Sequence, residues 1–510
     1  MSLTDVVILT EGGKDIGFGH ITRCLSLCQG FEERGIQSKF IVHGDSGVLD
    51  FLSPSPNPSH QGMGISRERN ISLPLVGRVK IWNWFQDQPS LHKAIDGAGI
   101  AIVDSYLAGQ DIYEEISRRV KTVLCVDDYR RLTYPPGIVL SVCPDAENMG
   151  YPSRPGVSYL LGARYIPLRK EFWDAPPKVC SAEITNVLII LGGNDIRNLT
   201  PRALDFWVKN YPQLNKTVVV GKKTALFQIQ DKKIQFIDSV GAAMMNQLML
   251  NSDTAISAGG QTIYELARMG APTIGICVAD NQIPNLQAGE REGFLHYAGN
   301  YRDNDLETKW AAAMQALDSQ SVRQRMAEAG QRLVDGQGSR RVAQAVLAGF
   351  FKKDLRLRRA AFADARNLFE LANTPAIREN SFNPNPIRWE DHVQWLQQKL
   401  NDKNTIFFII SVKDEFGGQI RFDIDSTGKE GSAVINIGLH PSIRGLGLSA
   451  FLMDQAIDEL QKICQIRIVK AYIREHNTAS IKSFTKAKFI FAQDVMMNHF
   501  PTKLYLRRIG

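Results

Sequence analysis

Gly17-Phe18-Gly19-His20 lies between an apolar run at residues 6–10 and an amphipathic segment at 21–34. A histidine that follows a glycine loop, where a strand hands over to a helix, is a candidate general base. Gly17 and Gly19 let backbone approach a bound substrate closely. At a helix start the positive end of the dipole would keep the ring neutral, as a proton acceptor requires. An ordinary turn ending in a helix-start histidine accounts for the same four residues. Two further stretches suit anions. Ser257-Ala258-Gly259-Gly260-Gln261-Thr262-Ile263-Tyr264-Glu265 reads as strand, glycine turn and helix start, whose exposed amides fit a diphosphate. Glu265, one turn in, could accept hydrogen bonds from a ribose diol; a tight turn with an exposed glutamate is the alternative. Arg444-Gly445-Leu446-Gly447-Leu448-Ser449 follows another strand and runs into a helix carrying Leu452, Ala456, Ile457 and Leu460 on one face. Its amides would converge on a pyrophosphate, with Gly445 and Gly447 keeping side chains clear.

These stretches need scaffolds. Up to about residue 165, runs at 6–10, 38–42, 100–104 and 122–127 alternate with helix-like segments. Short runs rich in Val and Ile predict a parallel sheet with helices on both faces. The proline-rich stretch Ser53-Pro54-Ser55-Pro56-Asn57-Pro58-Ser59 reads as a surface loop. Two strands end in acids, Asp104-Ser105-Tyr106 and Asp127-Asp128-Tyr129, which puts both on the same sheet edge as His20, although each acid alone reads first as a cap or turn residue. A second alternating block has runs at 185–191, 216–221, 234–237, 254–257 and 272–276, and helical periodicity at 321–351 closes it. The remainder is mixed, with helical stretches broken by Pro375, Pro384 and Pro386. A hairpin is predicted from residues 405–412 and 419–425 across a Gly417-Gly418 turn, then a strand at 432–439. The predicted fold class is α/β: two Rossmann-like lobes, 1–165 and 166–353, followed by a mixed α+β domain, 354–510.

Composition bounds the rest. A chain of 510 residues, 44% hydrophobic and 22% charged, is expected to be globular and to hold two or three cores. No apolar run approaches bilayer length, and Met1-Ser2-Leu3-Thr4-Asp5 lacks the pattern of a signal peptide, so a cytoplasmic location is the expectation. The seven cysteines, Cys24, Cys28, Cys125, Cys143, Cys180, Cys277 and Cys464, are scattered and never form Cys-x-x-Cys. No disulfide framework and no metal site is expected from them. A net charge of +7 without a basic tract predicts neither a nucleic-acid nor a membrane partner.

Five ordered motifs give residues 1–350 a family resemblance. They are Gly17-Phe18-Gly19-His20-Ile21-Thr22-Arg23-Cys24, Asp104-Ser105-Tyr106, Leu191-Gly192-Gly193, Ser257-Ala258-Gly259-Gly260 with Thr262 and Glu265, and Asp280-Asn281-Gln282. The segment resembles the nucleotide-sugar hydrolases of pseudaminic acid biosynthesis, relatives of the two-lobed (GT-B) glycosyltransferases. The resemblance implies a UDP-sugar between the lobes and His20 as the base that activates water. It further implies Tyr106 and Asn281 in the sugar pocket, Gly259 and Gly260 as the diphosphate cradle, and Glu265 on the ribose. Gly17, Gly19, Gly192, Gly193 and Thr262 complete the implied substrate site. Gln261 departs from the family, where a small hydroxyl residue often stands.

Residues 355–510 resemble the GNAT acetyltransferases, among them the amino-sugar N-acetyltransferase of the same pathway. The signature runs through Arg358, Asp364, Asn373, Pro375, Arg378, His392 and Trp395 to the Arg444–Ser449 loop and Asn477-Thr478-Ala479-Ser480. It implies acetyl-CoA as co-substrate, held by Leu439, Arg444, Gly445, Leu446, Gly447, Leu448, Ser449 and Asn477. Phe484 stands where many GNAT enzymes carry a tyrosine as general acid, and Lys488 where glycine is usual; Glu475 and His440 are the remaining candidates for proton transfer. Together the resemblances imply a bifunctional enzyme that acetylates a UDP-linked amino-deoxy-sugar and then removes its UDP. A UDP-sugar glycosyltransferase fused to an acetyltransferase, or a domain reduced to ligand sensing, are the alternatives.

Overall fold

Valine- and isoleucine-rich runs of five or six residues become the buried central strands of two parallel sheets, because strands covered on both faces need no polar alternation. The computed structural model describes residues 5–13, 16–52, 78–192, 195, 197–220, 231–238, 240–425 and 431–509. The proline-rich stretch at 53–59 and Gly193 lie outside them. The chain divides into two compact units, Leu3–Val346 and Leu347–Gly510.

In the first unit, one sheet comprises β1 (Val6–Glu11), β2 (Ser38–His43), β3 (Val79–Ile81), β4 (Ile100–Asp104), β5 (Thr122–Val126), β6 (Gly137–Ser141) and β7 (Val157–Leu161). Its order is β3-β2-β1-β4-β5-β6-β7, parallel throughout. A second sheet comprises β8 (Asn186–Ile190), β9 (Asn215–Val220), β10 (Ile234–Asp238), β11 (Thr254–Ala258), β12 (Thr273–Cys277) and β13 (Leu295–Asn300), ordered β10-β9-β8-β11-β12-β13 and also parallel. In each sheet the chain winds outward one way and then crosses back. The switch falls between β1 and β4 in one sheet and between β8 and β11 in the other, and crevices beyond such strand ends hold ligands. Trp84, Tyr113 and Ile116 anchor the core of the first sheet. Trp207 and Trp310 anchor the second, with Phe206 and Trp310 edge to face at 5.4 Å. Burying each such ring contributes about 2–3 kcal/mol. Cys143 and Ala146 of the first lobe pack on Ala288 of the second.

The second unit carries a third sheet: β14 (Leu355–Arg359), β15 (Thr405–Val412), β16 (Glu415–Asp425), β17 (Ser432–Leu439), β18 (Ile468–Arg474), β19 (Ile490–Met497) and β20 (Phe500–Arg508). The order is β14-β15-β16-β17-β18-β20-β19. The predicted hairpin forms, but its turn is Lys413-Asp414, whose φ values of 48° and 66° give the twist that matches paired strands. Gly417 and Gly418 instead lie inside β16 opposite a register shift. A Cβ on Gly418 would stand 2.3 Å from the Gly438 carbonyl oxygen, so this glycine pair answers to close strand approach rather than to a turn. β17 and β18 are parallel and pair only over Ser432–Val434 and Ile468–Lys470. Both strands continue beyond that point, to Leu439 and Arg474. Among the described residues no helix is long and apolar enough to cross a membrane.

Candidate functional site

Four segments meet beyond β1, β4 and β5. His20 is the second residue of the helix Gly19–Glu32, and Arg23 follows at i+3 on the same face. The Nδ1 of His20 lies 2.7 Å from Asp104 Oδ1. Arg23 donates from Nε to Asp104 Oδ2 at 2.8 Å and from Nη2 to Oδ1 at 2.7 Å. Its Nη1 donates to both oxygens of Asp128, at 2.6 and 2.9 Å. Tyr106 donates its hydroxyl to Asp128 and sets its ring edge-on to His20, centroids 4.5 Å apart. Glu11 ends β1 and is buried. It accepts from the Ser105 hydroxyl and from the Tyr106 amide at 2.8 Å. Its Oε1 is 3.8 Å from His20 Nε2.

The electrostatics correct one expectation. Burial pushes the His20 imidazole down, but the charge and hydrogen bond of Asp104, helped by Glu11, outweigh burial and Arg23, so its pKa rises above the ordinary value. The helix start therefore does not decide its protonation; Asp104 does. Burial works against the Asp104 charge, yet Arg23 and His20 hold this carboxyl well below the usual carboxylate range. Burial and the Asp128 charge keep the Tyr106 phenol protonated far above its ordinary range. With Asp104 anionic, Nδ1 carries the proton donated to it, and Nε2 presents its lone pair. Arg23, Asp104, Asp128 and Glu11 were not singled out from the sequence as site residues. The available signal was the His20–Arg23 spacing on one helix face, together with two strands that end in acids at one sheet edge.

At the second switch point, Gly192 leaves the end of β8 with φ 104°, and Gly259-Gly260 leaves β11. A Cβ on Gly259 would meet Leu286 at 2.6 Å, so this glycine is required by packing. Gly260 has space, its nearest neighbour being the Gln282 amide nitrogen at 4.0 Å. That brings the Asp280–Gln282 turn, with exposed Asn281, beside the glycine turn. Gln261 donates from Nε2 to the Pro167 carbonyl at 2.7 Å. Thr262 opens the helix Thr262–Met269. Glu265 is buried, and Arg169 donates to both its oxygens at 2.8 Å. Gly17 and Gly19 accompany His20; a Cβ on either would touch nothing within 4 Å.

In the second unit, Gly445 and Gly447 take left-handed φ values of 75° and 73°, while Leu446 and Leu448 bury their side chains. The loop enters the helix Ser449–Ile463. Among the described residues the amides of Leu446, Gly447 and Leu448 find no acceptor. Arg444 donates from Nη2 to the Leu439 carbonyl at 2.9 Å. Residues 354–490 match the acetyltransferase (GNAT) domain family. They form a GNAT acetyltransferase domain.

Around this GNAT domain the candidate groups sort themselves. Asn477 caps the helix Thr478–Lys486, its side chain accepting from the Ser480 amide at 3.1 Å. Phe484 is buried edge-on to Phe489, centroids 5.0 Å apart, and Lys488 holds φ 62°, the conformation that glycine adopts at no cost. Glu475 is paired to Lys503 at 3.2 Å. His440 has its Nδ1 2.8 Å from the Ser442 hydroxyl, and burial together with the Arg444 charge holds its pKa below the ordinary value. A cavity of about 280 Å³ opens beside His440, lined by Glu370, Thr374, Glu415 and Phe416.

Curated relatives extend over more of the chain. An uncharacterized protein of Methanocaldococcus jannaschii is 21% identical over 79% of this chain and 80% of its own. The pseudaminic acid cytidylyltransferase and UDP-2,4-diacetamido-2,4,6-trideoxy-beta-L-altropyranose hydrolase of Helicobacter pylori is 22% identical over 59% of this chain. The match spans only 49% of that longer protein. The spore coat polysaccharide biosynthesis protein SpsG of Bacillus subtilis is 22% identical over 69% of this chain and 99% of its own.

Proposed function

We propose that this protein is a bifunctional nucleotide-sugar enzyme. Its GNAT domain uses acetyl-CoA to acetylate the 4-amino group of a UDP-4-amino-4,6-dideoxy-sugar. Its two-lobed unit then hydrolyses UDP from the UDP-2,4-diacetamido-2,4,6-trideoxy-sugar so formed, as in pseudaminic acid biosynthesis. The observation that carries the hydrolytic half is the commitment of His20 Nδ1 to Asp104, which leaves Nε2 as a base at the switch point of the first sheet. The hydrolase activity in the name of the Helicobacter pylori relative supports the same reading.

In this reading water attacks the anomeric carbon while the bond from that carbon to the UDP oxygen breaks. His20 Nε2 takes the proton, and the imidazolium formed is stabilised by Asp104. UDP leaves with the bonding pair, its growing charge met by amides at Gly260 and at the start of the helix Thr262–Met269. Glu265, oriented by Arg169, accepts from the ribose, and Tyr106 and Asn281 border the sugar. In the GNAT half the free amine attacks the thioester carbonyl, the new C–N bond forms, and the C–S bond breaks to release CoA. The Leu446–Leu448 amides hold the pyrophosphate, and His440, neutral at pH 7, is the candidate for the ammonium proton.

Purified protein supplied with the UDP-amino-sugar and acetyl-CoA should release free thiol, then UDP. Release of neither overturns the proposal. UDP release that rises when a sugar acceptor is added would favour a glycosyltransferase instead.

A further inference from the structure

We infer that Glu11 positions the attacking water, an inference that rests on His20 serving as the base. Glu11 is 1% exposed, and the cation beside it is His20 only when that ring is protonated. What surrounds it fixes its orientation: the Ser105 hydroxyl and the amides of Tyr106 and Leu107, at 2.8 and 3.4 Å for the two amides. A buried carboxylate held this way, with no permanently charged counter-ion in hydrogen-bond reach, is costly to keep while His20 is neutral. Its Oε1 faces His20 Nε2 at 3.8 Å, too far for a direct hydrogen bond. Among the described residues Nε2 has no hydrogen-bond partner, since the hydrogen bonds of this ring run through Nδ1. A water oxygen about 2.8 Å from each acceptor closes a triangle on that 3.8 Å base.

Water in that position points one proton at Nε2 and the other at Glu11, which leaves an oxygen lone pair for the anomeric carbon. As the new carbon–oxygen bond forms and the bond to UDP breaks, the first proton moves to Nε2. The second stays on the sugar hydroxyl, still directed at Glu11. Glu11 gains no proton in the cycle. Its work is orientation, so its removal should lower turnover and leave substrate affinity alone.

The test follows UDP release by the full chain from the diacetamido UDP-sugar. Glu11→Gln replaces one acceptor charge by an amide and should lower kcat about 100-fold with KM within about threefold. Glu11→Asp keeps the charge on a shorter arm and should recover part of that loss. Wild-type kcat in Glu11→Gln, or a change confined to KM, overturns the inference. A loss that Glu11→Asp does not share in lesser degree while both variants melt early overturns it too, because it marks Glu11 as a brace for the Ser105–Leu107 turn. His20→Ala separates the two levels: if it keeps UDP release, the base assignment itself fails, whereas a dead His20→Ala beside a fully active Glu11→Gln removes only Glu11.

Discussion

The two glycine-containing loops at residues 17–20 and 444–449 look alike in sequence and are built on opposite principles. The first delivers a side chain into a buried lattice of charges: His20 on Asp104, Arg23 across Asp104 and Asp128, Tyr106 on Asp128. The second delivers backbone, with Leu446 and Leu448 buried as anchors and the amides between them left without acceptors among the described residues. A site made of side chains is vulnerable at every member of its network, because removing one charge changes the protonation of the others. A site made of backbone is vulnerable where the main chain must adopt a conformation that side chains resist.

The sharpest break of that comparison is His20→Ala. It should lower UDP release by about 1,000-fold, in the upper range for loss of a general base, and leave CoA release at the wild-type rate. Parallel assays of thiol and UDP on one preparation check it, and equal loss of both would show that the two sites are not independent. Next comes Asp104→Asn, which keeps shape and removes the charge that sets the histidine tautomer; UDP release should fall about 100-fold. Its pH profile is the more specific readout. The folded pKa of His20 is raised, so the neutral base appears, and UDP release climbs, through a pH above about 6.5. For the same reason the stability contributed by protonated His20 is complete below about pH 6.5 and is lost as pH rises through the raised value. Asp104→Asn removes the raising charge, so the limb should move to lower pH while the plateau drops. A limb that stays in place would assign the proton to another group.

These networks were legible in the sequence to unequal degrees. The parallel sheets could be read because Val–Ile runs covered on both faces leave no other outlet for such residues, and the glycine loops could be read because positive φ and close ligand approach both select glycine. The acids could be placed on the same sheet edge as His20, but their pairings could not be read. Asp104 and Asp128 are local cap-like residues when read along the chain, and their partners Arg23 and Tyr106 are 81 and 22 residues away. Only the order of the strands brings them together. Glu265 was legible as an acid at a helix start, but not its pairing with Arg169, 96 residues distant. Gly417-Gly418 misled for the opposite reason: a local signal for a turn was in fact serving a contact with Gly438 on the next strand.

On the backbone side, Gly447→Val should raise the KM for acetyl-CoA about 10-fold, since a β-branched residue at φ 73° costs more than 1 kcal/mol to hold in place. UDP release from pre-acetylated substrate should be untouched. Acetyl-CoA titration followed by thiol release measures it, and an unchanged KM would mean that this loop does not hold the pyrophosphate.

The smallest expected effect tests whether the second lobe follows the side-chain rule or the backbone rule. Gly260 would hold diphosphate by its amide, whereas the Gly259 amide expected to share that cradle donates instead to the Ile276 carbonyl at 3.1 Å; yet Glu265 in the next helix is a buried carboxylate clamped by Arg169 at 2.8 Å through both oxygens. If Glu265 binds ribose, Glu265→Gln loses a charge-assisted hydrogen bond and weakens UDP-sugar binding by about 1 kcal/mol, or roughly fivefold in KM, with kcat unchanged. If Glu265 only anchors Arg169 and the segment that joins the lobes, KM holds and the melting temperature of the variant falls, because Arg169 keeps its charge with a weaker partner. Glu265→Gln weakens the Arg169 pair in either case, so the melting temperature should fall both times and KM decides between the two roles. A rise in KM beside that loss of stability would make the second lobe a mixed site, its phosphate end built from backbone and its ribose end from an ion pair, whereas an unchanged KM would leave Glu265 as an anchor for Arg169 only.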